Sequence, residues 1–444
     1  MEGLRIKERQ DLGKFSRDVN VLIPVTEEFL RVDYSPVQRF SQEYVRNGIT
    51  IGISKNLDEI ALIRTQWELK QKQESQNTPD TDYNKYISVT KSVNGQVEPF
   101  VMYFKKYDKL LAMVIGRIEI KPLDLRIGYL TLCRPKVKSL SIVYGGIMGQ
   151  ADDTLCITLL DELTKQLKAQ QADLIQFHYL KTDTSLYRLL QNQYHNVALQ
   201  VRTDKHWRMA IPDTIEKFYS VRSKGHRYNL RKAKSRIEKE FSGEIKHLYY
   251  STEAEVDDFL KIATSISQKT YQHALNAGLV NDLSTQLRLK AEAANGWFRG
   301  HILFAGNKPC AFQLGSKYGN IYYMMNIGYD PEFKSYKPGL VLFLNVIEKL
   351  CEDSSIDSVD FYFGDAEYKY RFGTEYWQEA TMYIFAQRIY PIFIKKLQVA
   401  TLCLNECLKN IINKTGYTEQ LKQKWRNLLS AKVIARKNTA AENV

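Results

Sequence analysis

One order of elements is written twice along this chain, and any fold has to accommodate both copies. In the first copy, segments at 100–105, 109–120, 126–134 and 139–144 read as strands, and a glycine-rich loop follows at 145–149. Leu155, Leu159, Leu160, Leu163 and Leu167 then mark one face of a helix over 153–168, before a strand at 173–178 and a short helix at 182–190. In the second copy, strands at 297–306, 309–316 and 320–328 are separated by Gly-Asn-Lys-Pro and Lys-Tyr-Gly-Asn, which reads as an antiparallel meander. A polar loop leads to Gly339, after which Leu340, Val341, Phe343, Leu344, Val346 and Ile347 follow at helical spacing. A strand at 358–363, a polar turn and a short helix close this copy. Residue identity between the copies is weak, and the architecture is what repeats.

The expected fold is α+β, with a mixed, mostly antiparallel sheet flanked by helices in each of two tandem units. The units are expected over 1–204 and 205–388, with a basic helical extension at 389–444. The stretch 205–213 (KHWRMAIPD) reads as the linker between them. Ahead of the first copy, 49–54 reads as a strand, 58–73 as an amphipathic helix and 74–84 as an exposed polar loop. Between the copies lie expected helices at 214–239, 252–276 and 282–294 and a strand at 244–250. The extension carries expected helices at 389–413 and 418–435.

The net charge is +13, which points to an anionic partner: phosphates, nucleic acid or an acidic membrane surface. Nothing points to DNA specifically. The cations concentrate in 214–239 and in 389–437. The second of these also carries Ile392, Phe393, Ile394, Leu397, Leu402 and Leu404, so it suits either an anionic membrane surface or packing on the second unit. The six Cys show no CxxC spacing and the charged N-terminus has no apolar core, so a reduced, cytoplasmic protein is expected, peripheral on an inner membrane face if the basic tail docks there. No run of about 18 apolar residues is present. The seven His are scattered without HxxxH or HExxH spacing, so no metal is expected, and no GxGxxG, Walker A or GxSxG motif occurs.

The second copy presents an anion site on charge grounds. A helix N-terminus carries unpaired N–H donors and roughly half a positive charge. Lys334 and Lys337 add two full charges beside it, and Gly339 permits close backbone approach. Lys334, Ser335, Lys337, Gly339 and Leu340 are the candidate cofactor-binding residues. The first copy instead presents Asp152 and Asp153, which cap a helix well but repel phosphate, so it is expected to be structural or to bind the other substrate. After the strand at 358–363 come Asp365, Glu367, Tyr368 and Lys369. Acyl transfer needs a base, oxyanion donors and an acid. Asp365 or Glu367 suits the base, Tyr368 or Tyr370 the acid, and Lys369 can neutralise developing charge. The same residues also read as a helix cap and packing aromatics. Gln268, Tyr271 and His273, with Asn326, are candidates for the acceptor-side wall; His273 by itself reads equally as an ordinary surface or packed histidine.

Residues 219–385 resemble the CelD-like (cellulose-biosynthesis) branch of the GNAT acyltransferase superfamily and, more distantly, the FemABX aminoacyl transferases. Four segments carry the resemblance: Ser-Lys-Gly-His-Arg-Tyr-Asn-Leu-Arg at 223–231, Lys-Pro-Cys-Ala-Phe at 308–312, Tyr329-Asp330 followed by Lys337-Pro338-Gly339, and Asp360-Phe361 with Gly364-Asp365 and Tyr368-Lys369. The last fits in both order and spacing. The resemblance implies two GNAT-like domains in tandem, the first degenerate. It implies acetyl-CoA or another acyl-CoA as co-substrate on the loop-to-helix turn after the fourth strand, and an amine or hydroxyl acceptor on a small molecule or glycan precursor. In the phosphate loop, Lys337 stands where a glycine is usual and Pro338 removes a donor. FemABX relatives take the acyl group from charged tRNA, which would suit the basic 214–239 stretch.

Overall fold

The computed structural model describes residues 42–415, apart from 75–77, 93–94, 108, 129, 150, 271–272, 274–277 and 365. Among the described residues the first half supplies β1 (Gln42–Arg46), β2 (Ile49–Ser54), β3 (Val97–Lys106), β4 (Lys109–Pro122), the small hairpin β5 (Leu125–Ile127) and β6 (Leu130–Cys133), β7 (Lys136–Met148), β8 (Leu174–Lys181) and β9 (Ala198–Ala210). The second half supplies β10 (Ile245–Tyr250), β11 (Phe298–Ala305), β12 (Lys308–Tyr318), β13 (Ile321–Tyr329), β14 (Ser358–Asp360) and β15 (Glu375–Phe385). All but the hairpin join one 13-stranded sheet in the order β1-β2-β3-β4-β7-β8-β15-β9-β14-β13-β12-β11-β10. Pairing is antiparallel except at β7–β8 and β13–β14. The fold is therefore α+β, a mostly antiparallel sheet flanked by helices, with the same arrangement in both halves.

The centre of the sheet shows a reciprocal exchange. Each half would pair its last strand with the strand before it. Instead β15 of the second half pairs with β8 of the first, β9 of the first pairs with β14 of the second, and β9 and β15 pair with each other. The packing follows. Ala380, Met382 and Ile384 of β15 are buried in the core of the first half, with Leu140, Leu159 and Phe177. Trp207 and Met209 of β9 are buried in the core of the second, with Tyr322, Phe343 and Phe361. Burying a side chain of this size contributes about 1.5–3 kcal/mol, so each exchanged strand is held by several kcal/mol of apolar contact.

This geometry corrects the linker reading. Residues 205–210 lie inside β9, and a division at 204/205 would cut a central strand. The polar appearance of 205–213 misled because His206 is buried by partners supplied from distant sequence. The 74–84 stretch is likewise not an exposed loop where it is described. Pro79 and Thr81 are buried in a short 3₁₀ turn, and a helix begins at Tyr83. The basic stretch 214–239 is two helices, Ile215–Ser220 and Lys224–Glu240, because the Ser223 hydroxyl caps the second by accepting from the His226 N–H. The expected loop 145–149 is strand through Met148, and 126–134 folds as the separate hairpin. Helices at 57–62 and 64–73 meet at Ile63 where one was expected. The helix expected over 252–276 is formed over Val256–Ser267, and the strand at 358–363 shortens to 358–360. Helix Asp153–Lys168, capped by Asp152, agrees with its reading, and helix Ile389–Thr415 runs slightly beyond the expected 389–413. The expected helix at 418–435 lies outside the described residues.

Candidate functional site

In each half a parallel strand pair separates. β7 and β8 pair only over Ser139–Ile142 with Leu174–Phe177, and β7 then continues to Met148. β13 and β14 pair only over Ile321–Tyr323 with Ser358–Asp360, and β13 continues to Tyr329. In each half the longer strand, β7 or β13, runs on past the last pair toward a following helix. In the second half that helix, Pro338–Glu352, starts at Lys337 in the left-handed conformation (φ 54°), with no side-chain cap. Pro338 occupies the first turn, where a missing N–H costs little. Lys334, Ser335 and Lys337 are exposed, and Gly339 and Leu340 are half-buried. A Cβ on Gly339 would meet only the Tyr329 ring, at 3.5 Å. The helix start therefore has no side-chain cap and is flanked by two exposed ammonium groups.

In the first half the separation opens into a cavity of about 370 Å³. Its walls come from β7 (Ile142–Ile147), from β8 (Phe177–Lys181), and from the exchanged strands through Arg208, Trp377 and Glu379. Tyr323 and Asp360 close it from the second half. None of Lys334, Ser335, Lys337, Gly339 or Leu340 lines it. Gly146 and Gly149 make its backbone wall possible, since a Cβ on Gly149 would sit 2.2 Å from the Leu111 carbonyl oxygen.

A buried polar network underlies this cavity. The His206 Nε2–H donates to Asp360 Oδ1 at 2.7 Å, and Nδ1–H donates to Glu379 Oε2 at 3.0 Å. Both partners are carboxylates, so both ring nitrogens carry protons and the ring is an imidazolium. Burial opposes that charge, but the hydrogen bonds to Asp360 and Glu379 outweigh it, and the His206 pKa is raised to about 9. Glu379 also accepts from the Tyr144 hydroxyl at 2.9 Å and the Trp377 indole N–H at 2.7 Å. Asp360 also accepts from the Tyr362 N–H at 2.8 Å and from Arg208 at 3.3 Å. The imidazolium is stacked against Trp377, with ring centroids 4.5 Å apart, and lies parallel to Tyr144 at 5.7 Å. His178, on the cavity wall, is neutral, because burial and then the charge of Lys121 push its pKa down to about 4.

A second network ties the halves together outside the cavity. Lys85 is buried and pairs with Asp80 and Glu292, each at 3.1 Å, and Arg288 pairs with Glu292 at 3.2 Å. The Tyr362 hydroxyl donates to Asp80 at 2.9 Å.

The residues read as catalytic from sequence divide. Lys369 is buried, and its ammonium donates to the carbonyls of Tyr362 and Phe363, at 3.1 and 2.6 Å. It thereby fixes the turn at Tyr362 (φ 56°) and seats Phe363 on Tyr179, rings 3.9 Å apart. Glu367 is 76% exposed and pairs with Arg371. Tyr368 packs edge-on to Phe361. Asp365 and Tyr271 lie outside the described residues. Gln268 is exposed, while His273 and Asn326 are half-buried. Among the described residues, none of Gln268, His273, Asn326, Glu367, Tyr368 and Lys369 lines the cavity. Sequence reading missed Tyr144, Lys181, His206, Arg208, Trp377 and Glu379. Their trace is the alternation of charged and aromatic residues in Lys205-His206-Trp207-Arg208 and Tyr376-Trp377-Gln378-Glu379 within strand-length segments.

Residues 224–370 match the family model of the acetyltransferase (GNAT) domain. The match spans the basic helix, the meander, the uncapped helix start and the Asp360–Tyr370 segment. No curated protein matches the chain in sequence. Solved structures of similar outline include FemX, at 11% identity over 74% of this chain and 98% of that one, with a TM-score of 0.49. A tandem GNAT protein from the clavulanic acid biosynthesis pathway matches at 5% identity, over 76% and 99% of the two chains, with a TM-score of 0.48. The C-terminal domain of a putative lysylphosphatidylglycerol synthetase from Agrobacterium fabrum matches at 11% identity, over 77% and 97%, with a TM-score of 0.45. At these scores none of the three decides a residue or a substrate here.

Proposed function

We propose that the chain is a GNAT-type acyltransferase of the CelD-like branch. It would move an acyl group, in the simplest case acetyl, from acyl-CoA to an amine or hydroxyl of a small-molecule, sugar or cell-envelope glycan-precursor acceptor. The observation that carries this reading is the parting of β13 from β14 after Tyr323. It leads to an uncapped helix start beside Lys334 and Lys337, inside the segment that matches the acetyltransferase domain. There Lys334, Lys337 and the backbone around Ser335, Gly339 and Leu340 hold the pyrophosphate. The bound thioester supplies the activated carbonyl. Asp365 takes the acceptor proton and Tyr368 is the acid. Lys369 acts by positioning, since its ammonium already holds the Tyr362–Phe363 turn. Glu367, paired with Arg371, is the other candidate for the base. Gln268, Tyr271, His273 and Asn326 form the acceptor wall. The proposed location is the cytoplasm; no helix of the described residues is long and apolar enough to cross a membrane.

The test is a thermal-shift titration with acetyl-CoA, longer acyl-CoAs and free CoA, on wild type and Lys337→Glu. A ligand binding only the folded state at about 100 times its Kd adds about 2.7 kcal/mol, a readily measured rise in Tm. The rise is expected in wild type and is expected to be lost in Lys337→Glu. No rise with any CoA at millimolar concentration overturns the acyl-CoA reading. One observation favours a tRNA-dependent transfer as the second reading. Lys224, Arg227, Arg231, Lys232, Arg236 and Lys239 line one groove along the basic helix, together with Tyr228. That reading requires tRNA binding with a steep salt dependence.

A further inference from the structure

We propose that the first-half cavity is a binding site for a single anionic headgroup of the carboxylate type, held between Lys181 and Arg208, with its apolar remainder lying toward Ile142, Phe177 and Leu186. The site is separate from the proposed phosphate site on the other half of the chain.

Three cations surround the Trp377 indole. The His206 imidazolium is stacked on it at 4.5 Å, the Lys181 ammonium lies 4.7 Å from its centre and the Arg208 guanidinium 5.0 Å. Arg208 also lies 4.0 Å from the exposed Glu375, and the network offers two buried carboxylates, Asp360 and Glu379. Both are engaged by His206, and Asp360 by Arg208 as well. Of the three cations Lys181 is thus the one with no ion pair among the described residues, in a site walled on several sides by apolar and aromatic groups. Glu74, also on the cavity wall, is paired with Lys70. Among the described residues Lys181 forms no ion pair, and burial lowers its pKa against the weaker pull of Asp183 and Glu379. The Arg208 Nε is buried without a hydrogen-bond partner. An ammonium without an ion pair, with the Arg208 side chain beside it in the same cavity lining, offers the donors a carboxylate engages.

Part of the cavity wall is apolar. Phe177 is buried, Leu186 and Cys156 are buried, and Ile142 also lines the cavity. The volume is at the lower end of small-molecule sites, so the occupant is a compact amphiphilic anion. If the chain transfers acyl groups as proposed above, this anion belongs to the acceptor; that identification rests on the earlier reading, whereas binding itself does not.

The experiment uses the full chain, without acyl donor, so its outcome is independent of turnover. Isothermal titration calorimetry is run with octanoate, octanamide and octylamine on wild type, Lys181→Met and Lys232→Met, the last removing a cation from the basic helix instead. Octanoate is expected to bind one to one, with the neutral and cationic probes at least about tenfold weaker. Lys181→Met is expected to weaken octanoate by about tenfold or more while Lys232→Met leaves it unchanged. Free of ligand, Lys181→Met is also expected to melt higher than wild type, because it removes a desolvated charge that has no ion pair. Equal binding of octanamide, retention of octanoate affinity in Lys181→Met, or no octanoate binding up to roughly 10 mM would each overturn the proposal.

Discussion

The His206 imidazolium makes a quantitative demand on how stability varies with pH. Its pKa rises from the ordinary 6.5 to about 9 on folding, through the hydrogen bonds to Asp360 and Glu379 that outweigh its burial. A folded pKa above the unfolded one means that the folded state binds the proton more tightly. The contribution is therefore fully present below pH 6.5 and is lost as pH rises to about 9. At about 1.4 kcal/mol per tenfold in affinity, the interval corresponds to about 3 kcal/mol. His206→Gln removes the titrating group. A Gln amide can donate its N–H to one of the two carboxylates while its carbonyl faces the other, so the variant also loses a pH-independent amount. Urea unfolding of wild type and His206→Gln at pH 6.0 and pH 9.5 separates the two effects. The stability gap between the proteins should be larger at pH 6.0 by about 3 kcal/mol. A gap that is the same at both pH values, or larger at pH 9.5, would refute the imidazolium assignment.

Two further predictions concern the frame. Lys85→Met leaves the buried Glu292 and Asp80 without their shared cation and should cost about 3–5 kcal/mol in chemical unfolding, while Lys70→Met, at a partly exposed pair, should cost less than about 1 kcal/mol. Gly149→Ala places a Cβ 2.2 Å from a backbone carbonyl at φ 104°, so it should lower Tm by several degrees, whereas Gly225→Ala, with nothing within 4 Å, should not.

The elements that could be read from sequence are those whose reasons are local. Helix Asp153–Lys168 announces itself through Asp152 and its leucine face, and the β11–β13 meander through its turns. The uncapped start at Lys337 was legible for the same reason. What stayed hidden depends on partners far along the chain. His206 meets Asp360 and Glu379, 154 and 173 residues away, so a buried strand segment looked like a solvated linker. Asp80 looked like loop polarity until Lys85 and Tyr362 were placed beside it. The strand exchange is invisible in principle from pattern alone. β15 presents the same alternation whichever neighbour it meets, and Ala380, Met382 and Ile384 would suit either core.

The exchanged strands also set a limit on modularity. The segment that matches the acetyltransferase domain, 224–370, contains neither β9 nor β15. Excised on those bounds it would keep β14 as a raw edge and lose the lid that Trp207 and Met209 provide over Phe343 and Phe361. Extending it to 385 would add β15, but with its apolar face prepared for Leu140 and Phe177 of the missing half. On these contacts neither half is expected to fold without the other.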